Sequence, residues 1–113
     1  MDDCLFCKIV RGEIPATVVH ETETTLAFRD ISPKAPVHVL VIPKAHHANV
    51  AELGAADPAL GGEVLASAEA VAAKEGVRDS FRLVFNTGPA MGQTVFHVHA
   101  HVLGGGTPGF GAV

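Results

Sequence analysis

The sequence has little positive charge, and this scarcity limits the partners that it can bind. Lysine and arginine total 8 against 12 acidic residues, the net charge is -4, and no basic run occurs. Because nucleic-acid polymers are bound by clustered cations, we expect no such polymer as a partner. One nucleotide is still compatible with this charge, since backbone amides and histidines can hold a single phosphate.

Long apolar runs are missing as well. The longest, residues 37–43, is interrupted by His38 and is too short to span a bilayer. The chain begins Met-Asp-Asp, which is unlike the positively charged start of a signal peptide. We therefore expect a cytoplasmic protein without a membrane partner.

Two helices are predicted from capping residues and apolar spacing. A short one covers residues 4–11, with Asp3 as its N-cap and Gly12 after its end. A long one covers residues 58–75 and is capped by Asp57. The apolar side of the long helix is predicted to consist of Leu60, Val64, Leu65, Ala68, Val71 and Ala72.

Strand-like segments lie on both sides of the long helix. We predict them at residues 17–21, 25–29, 37–42, 81–86 and 95–103. Strands come first and last, so the sequence predicts a single α+β domain over residues 1–113. It should contain about five antiparallel strands, one long helix and one short helix.

His97, His99 and His101 stand at alternate positions near the end of the chain. In a strand, alternate side chains share a face, so the three imidazoles would lie together. The residues predicted to face the core instead are Phe96, Val98, Ala100 and Val102. Three interpretations fit: a solvent-facing polar surface, a tris-histidine metal site, or a nucleophilic imidazole supported by its neighbours.

Residues 97–103 read His-Val-His-Ala-His-Val-Leu, which resembles the His-φ-His-φ-His-φ-φ signature of the histidine-triad (HIT) superfamily, φ being apolar. Further segments resemble its Hint branch of nucleotide-binding phosphoramidases in the same order, namely residues 6–10, 12–15, 30–33, 38–44 and 92–93. The resemblance implies a HIT fold and a homodimer formed through the long helix and an adjoining strand. It also implies hydrolysis of an adenosine-type nucleoside 5′-phosphoramidate through a nucleotidyl-histidine intermediate, with no metal required for the chemistry.

The resemblance also implies roles position by position. His99 matches the nucleophile, while His101 and His38 match side chains that orient the triad and contact phosphate. Asp30 matches the carboxylate that accepts hydrogen bonds from ribose hydroxyls. The positions that match the apolar base pocket are Ile9, Ile14, Phe28 and Ile31. The positions that match the phosphate and leaving-group side are Asn86, Gly92 and Thr94, with Gly92 expected to let the backbone of Gln93 approach the phosphate.

Two features depart from the Hint pattern. Thr94 stands where the family often has serine, and its added methyl and stiffer χ1 bear on leaving-group preference. The tail, residues 106–113, lacks the tryptophan of some Hint tails, which reach toward the partner's active site. His20 and His47 match no family role and are predicted to be surface residues.

Cys4 and Cys7 are the two cysteines, too few and too close for a disulfide framework. Three residues apart on a helix, both sulfurs would share a face and could chelate a metal. Some bacterial HIT proteins and the related galactose-1-phosphate uridylyltransferases are similar here, which implies a structural zinc held also by His46 and His97. The alternatives are two small buried thiols without metal, or a redox pair.

Three classes of function therefore remain. The first is the nucleophilic phosphoramidase, and the second is a zinc-dependent hydrolase with the triad as metal ligands. The third is a non-catalytic regulatory protein that binds purine nucleotides. A nucleotide trapped on His99 would separate the first from the second. Loss of hydrolysis in His99→Ala with binding retained would separate the first from the third.

Overall fold

The computed structural model describes residues 3–106, and its elements follow the predicted order. The helices are α1 (Leu5–Val10), α2 (Val50–Ala56) and α3 (Pro58–Lys74), with a short 3₁₀ helix at Pro89–Met91. The strands are β1 (Val18–Glu21), β2 (Thr25–Arg29), β3 (Val37–Pro43), β4 (Phe81–Phe85) and β5 (Ala100–Gly104). The predicted α+β class and five-stranded antiparallel sheet are confirmed, whereas the tail prediction for residues 107–113 lies outside the described residues.

The sheet has the order β1-β2-β3-β5-β4, and every neighbouring pair is antiparallel. β3 lies at the centre, where Leu40 stands opposite His101 and His38 opposite Leu103. This register places the two histidines diagonally on neighbouring strands, two residues out of direct opposition and on the same face of the sheet. The central strand pair therefore carries part of the predicted site on a rigid support.

Each face of the sheet carries its own apolar cluster. On one face, α2 and α3 pack against buried strand and loop residues, namely Ala27, Val39, Val41, Val98, Ala100 and Val102. On the other face, Phe6 of α1 packs with Leu26, Phe28, Leu40 and Ile42. Because α1 has only six residues, it covers only part of that face. His99 and His101 lie on the same face, beside α1.

The helix ends show which capping predictions hold. Asp57 caps α3 as predicted, with its Oδ1 accepting from the Leu60 amide at 3.1 Å. The N-cap of α1 is Cys4 and not Asp3, because the Cys4 sulfur accepts the Cys7 amide at 3.4 Å. The prediction that Leu65 faces the core is wrong, since its side chain is 52% exposed.

α2 was not predicted. It begins with a reciprocal cap in which Asn49 Oδ1 accepts from the Glu52 amide at 2.9 Å and Glu52 Oε1 accepts from the Ala48 amide at 3.0 Å. Within residues 3–106, no helix has both the length and the apolar character needed to cross a membrane.

The predicted strand at residues 95–103 is too long, because β5 begins at Ala100. The Val98 amide donates to the carbonyl oxygen of His47 at 2.7 Å, so this stretch leaves the ladder before the strand starts. Phe96 is 49% exposed and does not join the core as expected. The alternation of faces nevertheless holds from 97 to 102, with the three histidines opposite Val98, Ala100 and Val102.

Candidate active site and metal centre

A cleft of about 840 Å³ opens beside α1 on the histidine-bearing face of the sheet. Its volume lies within the range of small-molecule sites in proteins. The predicted site residues that line it are Ile9, Ile14, Phe28, Asp30, Ile31, Thr94, His99 and His101. The apolar members lie toward α1 and β2, where Phe6 contacts Phe28 edge to face at 5.4 Å. The cleft therefore combines an apolar wall with a polar end.

The cleft offers no free guanidinium or ammonium group among its described lining residues. Arg29 is the one lysine or arginine that lines it, and two of its nitrogens donate to Glu75 at 2.7 and 3.1 Å. Negative charge on a ligand must therefore be met by imidazoles, the Thr94 hydroxyl and backbone amides.

Among residues 3–106, the hydrogen bonding of His99 leaves one ring nitrogen without a partner. Its Nδ1 lies 2.8 Å from the carbonyl oxygen of His97, and since a carbonyl only accepts, Nδ1 carries the hydrogen. In the neutral ring, Nε2 then keeps its lone pair. Phe6 packs edge to face against this imidazole at 5.1 Å between ring centroids. His99 is thus held in one tautomer, and no described residue uses the lone pair on its Nε2.

His38 and His101 form a second pair. His38 Nε2 lies 2.9 Å from His101 Nδ1, and the amide of Lys34 donates to His38 Nδ1 at 3.0 Å. Asp30 Oδ2 lies 3.4 Å from His38 Nε2. Among the described residues, His101 Nε2 is the buried side-chain nitrogen or oxygen that lacks a hydrogen-bond partner. Because buried polar atoms are normally satisfied, this nitrogen marks a place for a ligand.

Burial keeps the imidazoles neutral near pH 7. It lowers the pKa of His101 to about 4, and the neighbouring His99 and His38 rings add to that shift. Burial lowers the pKa of His99 and His38 as well, against the opposing charge of Asp30. Neutral rings can attack or donate, so the protonation state suits nucleophilic chemistry.

Cys4, Cys7, His46 and His97 meet at the base of α1, with their ligand atoms all within 4.8 Å of one another. Cys7 Sγ lies 3.4 Å from His46 Nδ1, and His97 Nδ1 lies 3.5 Å from both sulfurs. A tetrahedral zinc ion with two sulfur and two nitrogen ligands requires sulfur-to-nitrogen separations of about 3.6 Å. The four side chains therefore fit a closed tetrahedral site.

The surroundings of this metal centre also fit a cation. His97 Nε2 donates to the carbonyl oxygen of Pro43 at 2.8 Å, which turns its Nδ1 lone pair toward the sulfurs. Burial, reinforced by Cys4, raises the pKa of the Cys7 thiol, and a bound cation would favour its thiolate. The predicted metal ligands are thus all brought together.

The three triad imidazoles do not converge on one ion. His97 directs its free nitrogen to the sulfurs, and His101 Nδ1 is occupied by His38. Asp30, His38 and His101 also place ligand atoms within 4.8 Å of one another. However, the Lys34 amide holds His38 Nδ1, so Nε2 of the neutral ring carries a hydrogen and has no lone pair for a metal.

Three residues expected on the phosphate side do not line the cleft, namely Asn86, Gly92 and Gln93. Gln93 is buried, and its amide donates to the carbonyl oxygens of Ala48 at 2.7 Å and Val95 at 3.1 Å. Gly92 has φ +95°, and a Cβ there would meet nothing within 4 Å. Glycine is therefore needed for the turn and not for a close approach within the chain.

Several lining residues were missed by sequence reasoning. They are Leu5, Phe6, Pro15, Ala16, Thr17, Arg29, Ser32, Leu40 and Val95. Phe6 could have been found from its helical spacing to Ile9, and Leu40 from its alternation with His38. His20 and His47, predicted to be surface residues, are half-buried, and neither belongs to a metal-ligand group of the described residues.

Comparison with known proteins agrees with this architecture. The HIT domain family matches residues 11–107. An uncharacterized HIT-like protein of Synechococcus elongatus is 54% identical over 104 residues, covering 92% of this chain and 91% of that protein. A 14 kDa zinc-binding protein of Zea mays is 46% identical over 103 residues, covering 89% of this chain and 80% of that protein.

A solved structure gives the same result. The HIT family hydrolase of Legionella pneumophila superposes with a TM-score of 0.89 at 49% identity, covering 93% of this chain and 95% of that chain. The fold and the row of imidazoles beside a cleft define a histidine-triad protein, similar to this HIT family hydrolase. The chain belongs to the HIT family.

Proposed function

We propose that the protein hydrolyses nucleoside 5′-phosphoramidates, of adenosine type, through a covalent intermediate on His99. One observation carries this proposal. The His97 carbonyl fixes the hydrogen of His99 on Nδ1, leaving a neutral imidazole with a free Nε2 at a cleft of nucleotide size. Similarity to a HIT family hydrolase supports a hydrolytic reaction.

The lining of the cleft supports a purine nucleotide as the ligand. Its apolar wall, with Ile9 and Phe28, suits a flat base, and the Asp30 carboxylate suits ribose hydroxyls. The polar end offers neutral donors and no free cation among the described lining residues. That end suits one phosphate better than a polyphosphate, whose charge would require lysine, arginine or a metal ion.

The proposed reaction has two steps. His99 Nε2 attacks phosphorus, the bond from phosphorus to the substrate nitrogen breaks, and the nitrogen takes a proton from solvent and leaves as the amine. Water then attacks the phosphorus of the nucleotidyl-histidine, the bond from phosphorus to Nε2 breaks, and the water gives up a proton to solvent, which releases the nucleoside monophosphate and restores the imidazole. Donors from His101 and Thr94 would stabilise the charge on the phosphate oxygens.

The direct test of this proposal is incubation with an adenosine 5′-phosphoramidate. Adenosine monophosphate and the free amine should appear in equal amounts, measured by chromatography. Rapid acid-free quenching followed by mass spectrometry should locate an adenylyl group on His99. A protein that binds adenosine monophosphate yet releases neither product would favour the regulatory class.

We also propose a structural zinc ion at Cys4, Cys7, His46 and His97. The ligand distances and the Pro43 contact to His97 support it, as does similarity to a zinc-binding protein. When bound, the ion would supply a cross-link between α1 and the segments that follow β3 and precede β5. It would take no part in the reaction itself.

A homodimer is proposed through α3 and β4. β4 is an edge strand of the described sheet, and Phe81 and Leu65 of these elements are 36% and 52% exposed. Leu65→Asp should therefore weaken self-association by about tenfold or more, because a buried apolar contact would become a buried charge. Analytical ultracentrifugation across a concentration series measures the change.

The control for the dimer prediction is Val18→Asp. Val18 is 50% exposed on β1, at the opposite edge of the sheet, so the same charge should leave self-association unchanged. A wild-type protein that stays monomeric at all concentrations would contradict the proposal, as would greater loss of dimer in Val18→Asp.

The rate should depend on pH through His99. Only its neutral form attacks, and burial lowers its pKa below the usual 6.5, so the protein stays active on the acid side of that value. We expect kcat/KM to be level near pH 8 and to fall toward acid with a midpoint below 6.5. Initial rates between about pH 4 and pH 8 test this. A midpoint at or above 6.5 would contradict the predicted direction.

A further inference from the structure

We infer that the backbone amide of Lys34 is a positioning group for the proposed reaction: acting through His38, it holds the hydrogen of His101 on Nε2, ready for a phosphate oxygen. The catalytic part of this inference rests on the proposed function. The placement of the hydrogens does not, since it follows from two consecutive hydrogen bonds.

The first step is the contact between Lys34 and His38. The amide nitrogen of Lys34 lies 3.0 Å from His38 Nδ1. A backbone amide can only donate, so Nδ1 must accept with its lone pair. A neutral imidazole has one donor nitrogen and one acceptor nitrogen. His38 therefore carries its hydrogen on Nε2.

The second step passes from His38 to His101. His38 Nε2 and His101 Nδ1 are 2.9 Å apart, so one of them donates and the other accepts. Because His38 Nε2 holds the hydrogen, His101 Nδ1 accepts. Asp30 Oδ2, at 3.4 Å from His38 Nε2, is another acceptor and favours the same arrangement. The hydrogen of neutral His101 must then be on Nε2.

The hydrogen on His101 Nε2 is available to a ligand in the cleft. His101 lines the cleft, and its Nε2 is buried and without a partner among the described residues. The ring packs beside His99 at 5.0 Å between centroids. The two neighbouring rings thus have opposite tautomers: His99 keeps a lone pair on Nε2, while His101 has a hydrogen there.

We call the two hydrogen bonds from the Lys34 amide through His38 to His101 the histidine relay. Without the Lys34 amide, the direction of the hydrogen bond between His38 and His101 could reverse. His38 could then carry its hydrogen on Nδ1 and accept with Nε2, and His101 would donate from Nδ1. His101 would present a lone pair to the phosphate, which repels its oxygens. The amide is therefore what gives the relay its direction.

The loop between β2 and β3 contains Lys34, and two hydrogen bonds fix the path of this loop. The Ser32 amide donates to Asp30 Oδ1 at 2.7 Å, and the Asp30 amide donates to the carbonyl oxygen of His38 at 3.0 Å. These contacts close the chain between β2 and β3 around the histidine. The Lys34 side chain is exposed, so its backbone and not its ammonium group makes the contact.

The test combines nuclear magnetic resonance with kinetics on the full chain. In ¹⁵N-labelled wild-type protein near pH 7.5, long-range ¹H–¹⁵N spectra should show His38 and His101 with hydrogen on Nε2, and His99 with hydrogen on Nδ1. Lys34→Pro removes the amide hydrogen, while Lys34→Ala keeps it. In Lys34→Pro, His38 and His101 should populate both tautomers, and in Lys34→Ala they should match the wild type.

Turnover and binding provide the second readout. We expect kcat of Lys34→Pro to be about fivefold below that of Lys34→Ala, the bias that one such hydrogen bond provides. Affinity for adenosine monophosphate, measured by calorimetry, should fall by a similar factor.

Several results would overturn the inference. His101 with its hydrogen on Nδ1 in the wild type would do so even if Lys34→Pro did not fold. Unchanged tautomers of His38 and His101 in a folded Lys34→Pro would also overturn it. Equal kcat and equal nucleotide affinity in Lys34→Pro and Lys34→Ala would overturn it too. A wild type that hydrolyses no phosphoramidate would instead remove the proposed function, while the tautomers and the nucleotide affinities would still decide the role of the amide.

Discussion

His99→Ala should lower kcat for an adenosine 5′-phosphoramidate by at least about 10⁴-fold, because the variant has no atom that can form the covalent intermediate. Its affinity for adenosine monophosphate should change by less than about threefold, since the apolar wall and Asp30 remain. Steady-state kinetics and calorimetry on the same preparation measure both quantities. A large loss of kcat with little loss of affinity would show that His99 acts in the chemical step and not in nucleotide binding.

The matched control for this prediction is His20→Ala. His20 Nδ1 accepts from Lys74 Nζ at 2.8 Å and does not line the cleft, so its loss should leave kcat and affinity unchanged. A His99→Ala protein with more than a tenth of wild-type turnover would contradict the nucleophilic mechanism. Activity that chelation abolishes in a folded protein, without any adduct on His99, would favour the zinc-dependent hydrolase instead.

Much of the fold could be predicted from local chemistry. The pair Asp57-Pro58 predicts the start of α3, and the segments rich in β-branched residues predict the strands. The prediction failed where distant contacts decide the outcome. The sequence between 95 and 99 has strand-like alternation, but the bond from the Val98 amide to His47 removes it from the sheet. Local propensity contains no information about such a contact.

The same division applies to the site. Residue types reveal the imidazoles and sulfurs, so the members of the metal centre and of the cleft's polar end could be named in advance. The groups that set their tautomers are backbone atoms: the carbonyl oxygens of Pro43 and His97 and the amide of Lys34. Every residue has a carbonyl oxygen, and every residue except proline has an amide hydrogen, so their role follows only from the path of the chain.

Loss of the metal centre should have the largest effect on stability. If zinc is present at about 1,000 times its dissociation constant, binding contributes about 4 kcal/mol to folding. For a domain of this size, that corresponds to a drop in Tm on the order of 15 °C when the metal is removed. His46→Ala should reproduce most of this drop, because it deletes one ligand of four. Metal analysis and thermal unfolding with and without chelator measure these effects.

His47→Ala is the matched control, since it deletes a neighbouring imidazole that is no ligand in the metal centre. It should bind one zinc ion per chain and keep nearly the wild-type Tm. Metal-free protein held below its Tm should still form the nucleotide adduct, because zinc takes no part in the proposed reaction. Metal content near zero in the wild type, with no response to chelator, would mean that Cys4 and Cys7 are two metal-free thiols packed beside His97. The Pro43 carbonyl would then orient a ring that binds no metal.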